Sequence, residues 1–145
     1  MAGMGSTFAG DFLALILQAA TIANVAINAT SSPITSTFLS LHTASPASGN
    51  QSTSEAGYTS YARQALTRSG STGWTISSNV ATLTSTTNFP ASTGSPSETE
   101  TFIGLGSLTS GTGLLFFYGS LSPTIAVTSA GVTPSILNSS TITAT

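Results

Sequence analysis

Few side chains in this sequence can do chemistry: one histidine, four carboxylates and two cations among 145 residues. His42 stands in LHTASP, at the expected exit of a strand. A Ser-His-acid triad needs a histidine, a carboxylate and a serine that meet in space. Asp11, Glu55, Glu98 or Glu100 could supply the acid, but no serine sits in a nucleophile motif such as G-x-S-x-G. A hydrogen-bonding role at the strand end is therefore expected for His42. One histidine without clustered acids also makes a poor metal site. Glu98 and Glu100 lie two apart, which on a strand puts them on one face. Paired carboxylates can hydrolyse glycosides, but those acids usually come from different elements at a defined separation. Solubilising residues, or partners for Arg63 and Arg68, are the expected roles. Tyr58, Tyr61 and Trp74 could form a stacking platform for a sugar, against which a core or sheet-surface role is expected. Gly104-x-Gly106 and Gly111-x-Gly113 lack the strand–loop–helix setting of a phosphate cradle and fit a hairpin better. No catalytic, cofactor-binding or metal-binding residue is assigned, no cofactor is expected, and the chain is not expected to be an enzyme.

Arg63, in YARQAL, stands apart from these. An unpaired buried charge is expensive, so an arginine in a strand of so uncharged a chain calls for a carboxylate. Glu55, Glu98 and Glu100 are the possible partners in a structural ion pair, with Glu98 taken as the candidate.

Composition narrows the function further. Asp, Glu, Lys and Arg make up 4% of the chain, where about 25% is usual. A phosphate backbone needs clustered Lys and Arg, so no nucleic-acid partner is expected. A surface with little charge resists association poorly, which suits a subunit of a larger assembly. With no cysteine, disulfides and thiol chemistry are excluded. No Lys or Arg precedes the first apolar run, so a secretory signal is not expected. Phe12–Ile27 is uncharged but interrupted by Gln18, Thr21 and Asn24 and short for a bilayer, so no membrane partner is expected either.

The elements follow from spacing. Phe8, Phe12, Leu15, Ile16, Ala19, Ile22, Ala23 and Ala26 recur at helical steps after a short arm, and Ser6 or Thr7 could cap the start. The opposite side of this helix is barely polar, so it needs cover from the β-domain or a partner. Asn28–Pro33 breaks it. Ile34–Leu41 alternates as a strand, and Thr43–Gly57 is a polar loop long enough to be functional or mobile. Tyr58–Leu66, Trp74–Ile76, Val80–Leu83 and Thr124–Val127 read as extended segments. Phe89 looks exposed in its loop, and Ile136 and Ile142 look inward in the last segment. Phe102–Leu105 and Leu114–Tyr118 flank a Gly/Ser/Thr connection and predict a β-hairpin. Leu114–Phe117 is continuously apolar, which predicts a strand buried on both faces or carrying an interface. The expected fold is mainly β: an antiparallel β-sandwich or jelly roll with one N-terminal α-helix. Residues 1–30 form the arm and helix, and 34–145 one compact β-sandwich.

FLSLHTASP, GYTSYARQAL, FPAST and ETFIGLGSLTSGTGLLFFYGSL, in that order over residues 38–123, resemble small structural proteins of tailed bacteriophages. Such proteins are often labelled tail-fibre proteins, and some are capsid cement or decoration proteins. The chain departs from them in its few charges and its more apolar helix. The resemblance implies a non-enzymatic β-sandwich bound to the virion in many copies. Small size and an apolar helix in want of a partner favour a cement protein on the outer capsid surface. That reading implies binding to the major capsid protein and a homodimer at local two-fold axes. Candidate interface residues are Phe12, Leu15, Ile16, Leu114, Phe116 and Tyr118. Two alternatives are a tail or fibre component with the 43–57 loop facing a receptor, and a carbohydrate-binding module or glycosidase that would need Glu98 or Glu100.

Overall fold

A computed structural model describes residues 4–22, 26, 33–47 and 49–144. The chain is mainly β, with antiparallel sheets and one helix, in keeping with a β-sandwich. In order, the elements are α1 (Ser6–Leu17), β1 (Ser36–His42), β2 (Gln64–Thr67), β3 (Trp74–Ser77), β4 (Val80–Leu83), β5 (Thr87–Asn88), β6 (Glu98–Gly106), β7 (Leu115–Val127), β8 (Ser135–Ile136) and β9 (Thr141–Thr143). They fall into two compact units rather than an arm followed by one sandwich. One unit comprises 1–36, 66–86 and 137–145, the other 37–65 and 87–136.

In the first unit, α1 packs on β3 and β4 of an antiparallel sheet ordered β3-β4-β9. Ala9, Leu13 and Leu17, four apart, are its buried stripe. That stripe is rotated from the expected one: Phe8 is exposed, and Phe12, Leu15 and Ile16 are half-buried. The helix also stops earlier than the periodicity predicts. Ala19 takes a left-handed φ of 55°, and the Ala20 N–H turns back to the Ala14 carbonyl at 3.1 Å. Arg68 closes the end by donating to the carbonyls of Leu15 and Ile16, which have no partner within the helix. Gly5 rather than Ser6 or Thr7 holds the N-cap position, with no side-chain cap bond. The expected helix positions Ala23 and Val25 and the break over 28–32 lie outside the described residues. Among the described residues no helix is long and apolar enough to cross a membrane.

The second unit carries most of a sheet ordered β2-β1-β6-β7, together with the short β5–β8 pair. β1 pairs antiparallel with β6 from Phe38↔Gly106 to His42↔Phe102. The predicted hairpin is present as β6 and β7, joined through residues 107–114. β7 is longer than expected, absorbing the separately predicted segment Thr124–Val127 through a register shift. It is also not central. Among the described residues β7 is an edge strand, as is β2 at the other side, and none of Leu115–Tyr118 is fully buried. Continuous apolarity here marks a strand with little cover on either face.

Tyr58–Leu66 is a strand only from Gln64; before it the chain turns, with the Tyr61 N–H bonded to the Tyr58 carbonyl at 2.9 Å. Phe89 is buried, not exposed, because its ring stacks on Tyr61 at 6.1 Å and 10°. Ile136 is buried as expected, whereas Ile142 is half-buried.

Candidate functional site

The polar residues of the second unit gather around its loops, where Arg63, Glu55 and Tyr61 also line a small cleft. Arg63 is 7% exposed and grips Glu55 with two bonds, Nε to Oε1 at 2.6 Å and Nη2 to Oε2 at 2.7 Å. This corrects the expected Arg63–Glu98 pair. Glu55 closes the loop behind His42, bridging that residue across the ladder, and so reaches the guanidinium first. Arg63 also donates to the carbonyls of Leu108 at 2.9 Å and Gly111 at 2.8 Å, which pins the hairpin loop. The Tyr61 hydroxyl donates to Glu55 Oε1 at 3.0 Å and accepts the Leu41 N–H at 3.1 Å. Burial, and then the Glu55 charge, push the Tyr61 phenol well above its ordinary range.

Gln51, fully buried, fastens the same loop from the other side. Its Oε1 accepts the Leu108 N–H at 2.9 Å, and its backbone N–H donates to the Gly113 carbonyl at 3.1 Å. A Cβ on Gly106 or Gly113 would stand 2.2 Å from the Gln51 side chain. The hairpin glycines thus make room for a buried amide, a role that the Gly-rich pattern alone does not reveal.

His42 is likewise a strut. Its Nδ1 lies 2.9 Å from the Thr53 carbonyl and its Nε2 2.9 Å from the Ser40 hydroxyl. Since a carbonyl only accepts, Nδ1 carries the proton and Ser40 donates to Nε2. Burial lowers the imidazole pKa and keeps the ring neutral. Ser40 and His42 form a dyad of the kind that could activate a hydroxyl, but both are fully buried and the third group is a backbone carbonyl. The 43–57 loop is tied down by this ring and by backbone bonds such as Ala56 N–H to the Leu41 carbonyl at 2.8 Å.

Glu98 and Glu100 do share a strand and play different parts. Glu98 Oε1 accepts the N–H groups of Gly57 at 2.8 Å and Tyr58 at 2.6 Å. Glu100 is fully buried, and neither carboxyl oxygen has a hydrogen-bond partner. Burial first, and then the neighbouring Glu98 charge, push its pKa up to about 8, so it is protonated at neutral pH. Burial and these same two carboxylates push Tyr58 up to about 12. Two neighbouring carboxyls, one of them with a raised pKa, make the electrostatic pattern of acid–base catalysis. Here Glu100 is sealed from solvent, while Glu98 is half-buried and taken up by backbone N–H groups. A cleft of about 440 Å³ runs along α1 past Gly10, Gln18 and Ser78. Another, of about 260 Å³, lies beside Arg63, Tyr61 and Gly111. Among the described residues no three His, Asp or Glu side chains gather for a metal. Tyr58 is buried in the second unit and Trp74 in the first.

Several large apolar side chains are exposed. Leu114 is 71% and Tyr118 52% exposed, and Phe116 is half-buried, all at the β7 edge. The face pointing the other way grades outward from Leu41, fully buried on β1, through half-buried Ile103 on β6, to Gly119 on β7. A Cβ on Gly119 would meet nothing within 4 Å. Of the residues predicted for an interface, Phe116 and Tyr118 thus lie on β7 of the second unit, with Leu114 directly before that strand. Phe12, Leu15 and Ile16 lie on α1 of the first.

A search of curated proteins finds no match to this chain. The model of the family described as podophage GP4 fiber I protein gp80 matches residues 14–143, nearly the whole sequence. The chain belongs to that family and is a small virion protein of a tailed phage.

Proposed function

We propose that this protein is a non-enzymatic, fibre-type structural subunit of the virion, held in its assembly through the apolar surface of β7. The exposed Leu114 and Tyr118 carry the reading, because a strand with so much uncovered apolar side chain is built to be covered. The ionisable groups support it from the other side. Arg63, Glu55, Glu98 and His42 are engaged in holding loops, and Glu100 is sealed. A fibre position accords with the family's description as a fibre protein.

The second reading, a decoration protein on the outer capsid surface contacting the major capsid protein, is favoured by α1. Its Phe8 is 44% exposed, and Phe12, Leu15 and Ile16 are only half-buried. A subunit that binds only the assembled shell would stabilise it by mass action. In either position the protein acts in several copies. Electron microscopy of virions labelled with an antibody against this chain distinguishes the two positions. Label on the tail or its fibres supports the fibre reading, label over the head supports decoration, and unlabelled virions refute both. Glycosidase activity that vanishes in Glu98→Gln would refute the non-enzymatic reading.

A further inference from the structure

We infer that two copies of this chain pair edge to edge through β7, antiparallel about a two-fold axis at Tyr118. This deepens the proposal that β7 is the attachment surface by naming a second copy as its occupant.

The first argument is the edge itself. Among the described residues no strand pairs on the outer side of β7, so alternate N–H and C=O groups of a 13-residue strand face outward. Proteins usually blunt such an edge with lysine, with inward-pointing charges or with proline. From Leu115 to Val127 the Tyr118 phenol is the only ionisable side chain, and Pro123 comes only after the apolar part. Register shifts on both sides leave Phe117–Ser120 as the regular stretch.

Self-complementarity is the second argument. In an antiparallel pair centred on Tyr118, Phe117 of one copy stands directly opposite Gly119 of the other, and the relation occurs twice by symmetry. Directly opposed residues project to the same face. The open space over Gly119 is therefore where the second copy's Phe117 ring would lie, beside Ile103, the β6 residue opposite Gly119. A large ring laid over a strand glycine is a known way to stabilise such a pair. On the other face, Phe116 would oppose Ser120 and the two Tyr118 side chains would meet.

Charge is the third. Two copies of a net −2 chain meet here without apposing any carboxylate, because all four acids lie off β7. A strongly charged partner would find no counter-charge on this strand. A second copy needs none.

The test uses the whole chain in solution. Sedimentation velocity should give a dimer for the unaltered protein. Gly119→Val fills the notch without an internal clash, since nothing lies within 4 Å, and should weaken dimerisation by at least about tenfold while the melting temperature of the monomer is unchanged. The chain has no cysteine, so a single introduced thiol reports register. Opposed strand residues have Cα atoms about 4.5–5.5 Å apart, within disulfide range, so Tyr118→Cys should give a covalent dimer on mild oxidation. Leu114→Cys should not, because its symmetry mate would lie about 27 Å along the pair. A monomeric chain, undiminished dimerisation in Gly119→Val, or equal cross-linking of both cysteine variants overturns the inference. A chain that is monomeric alone and protected at β7 only on virions would assign the edge to a different virion protein, again overturning self-pairing. Because the readout is solution association, it is independent of whether the antibody marks head or tail.

Discussion

Replacing Arg63 with alanine should be the most damaging single change outside the apolar core. The guanidinium supplies both bonds to Glu55 and holds the Leu108 and Gly111 carbonyls. Removing one member of a buried ion pair costs about 3–5 kcal/mol, chiefly because the other charge is left uncompensated. The Glu55 side chain is 17% exposed, so water relieves part of that penalty and the lower figure applies. Leu108 is exposed, so water can also take over the freed carbonyls, and they add little. A loss of about 3 kcal/mol corresponds to roughly 10 °C in melting temperature for a chain of this size. Calorimetry or urea unfolding measures it directly. Arg63→Lys keeps the charge but not the two-pronged grip, and should recover less than half of the loss. In Arg63→Ala/Glu55→Ala the two losses should fall short of additivity by more than about 1 kcal/mol, since the second change removes the stranded charge. A melting temperature within about 2 °C of the parent, or strictly additive single losses, would refute the reasoning.

Further changes test other joints of the structure. Glu100 has a pKa of about 8 in the fold, far above an unfolded glutamate, so the stability it contributes is full below about pH 4.5 and is lost as pH rises from there to about 8. His42, lowered by burial, works in the opposite sense, its contribution present above about pH 6.5 and lost below. Between about pH 6.5 and 8 the Glu100 effect stands alone. There the melting temperature should fall with pH in the parent and stay flat in Glu100→Gln, and an unchanged slope in the variant would contradict the assignment. Gly10→Ala would set a Cβ 2.3 Å from the Ser78 carbonyl oxygen, and strain of this kind typically costs about 1–3 kcal/mol. Thermal unfolding checks it. Ala19→Gly relieves a left-handed alanine and should stabilise the chain by about 1 kcal/mol, read as a rise in urea midpoint.

The parts of this fold that were legible in the sequence are those set by local pattern. Val80–Leu83 alternates, and its ends are fixed by a tight connection to β3 and by Ser/Thr after it, so its limits could be read directly. The hairpin was legible for the same reason. The helix end was not, because Ile22 and Ala26 keep helical spacing past Leu17 while the chain turns at Ala19. A left-handed alanine leaves no compositional mark, and the closing cation, Arg68, lies 51 positions beyond the helix. Phe89 was misplaced because burial of a loop aromatic depends on a partner ring, Tyr61, that only the folded chain brings near. Arg63 was correctly singled out as needing a carboxylate, but three glutamates were open to it. The choice of Glu55 depends on the loop that doubles back behind His42, a long-range fact.

The least legible stretch was the most telling one. Four apolar residues in succession, Leu114–Phe117, carry the same pattern whether a strand is buried on both faces or stands uncovered at an edge, because side-chain hydrophobicity records that a surface wants cover and not where the cover comes from. What separates the cases is the strand's neighbours. Among the described residues β7 pairs with β6 on one side only, its Tyr118 is half exposed, and Gly119 leaves a gap where a central strand would carry a packed side chain. Arg63, Glu55 and Glu98 meanwhile tie down loops, and no Asp, Glu, Lys, Arg or His stands along β7 to keep another copy away. A protein that is almost uncharged, fastens its own loops firmly and leaves one apolar edge open has the properties of a part made to be joined.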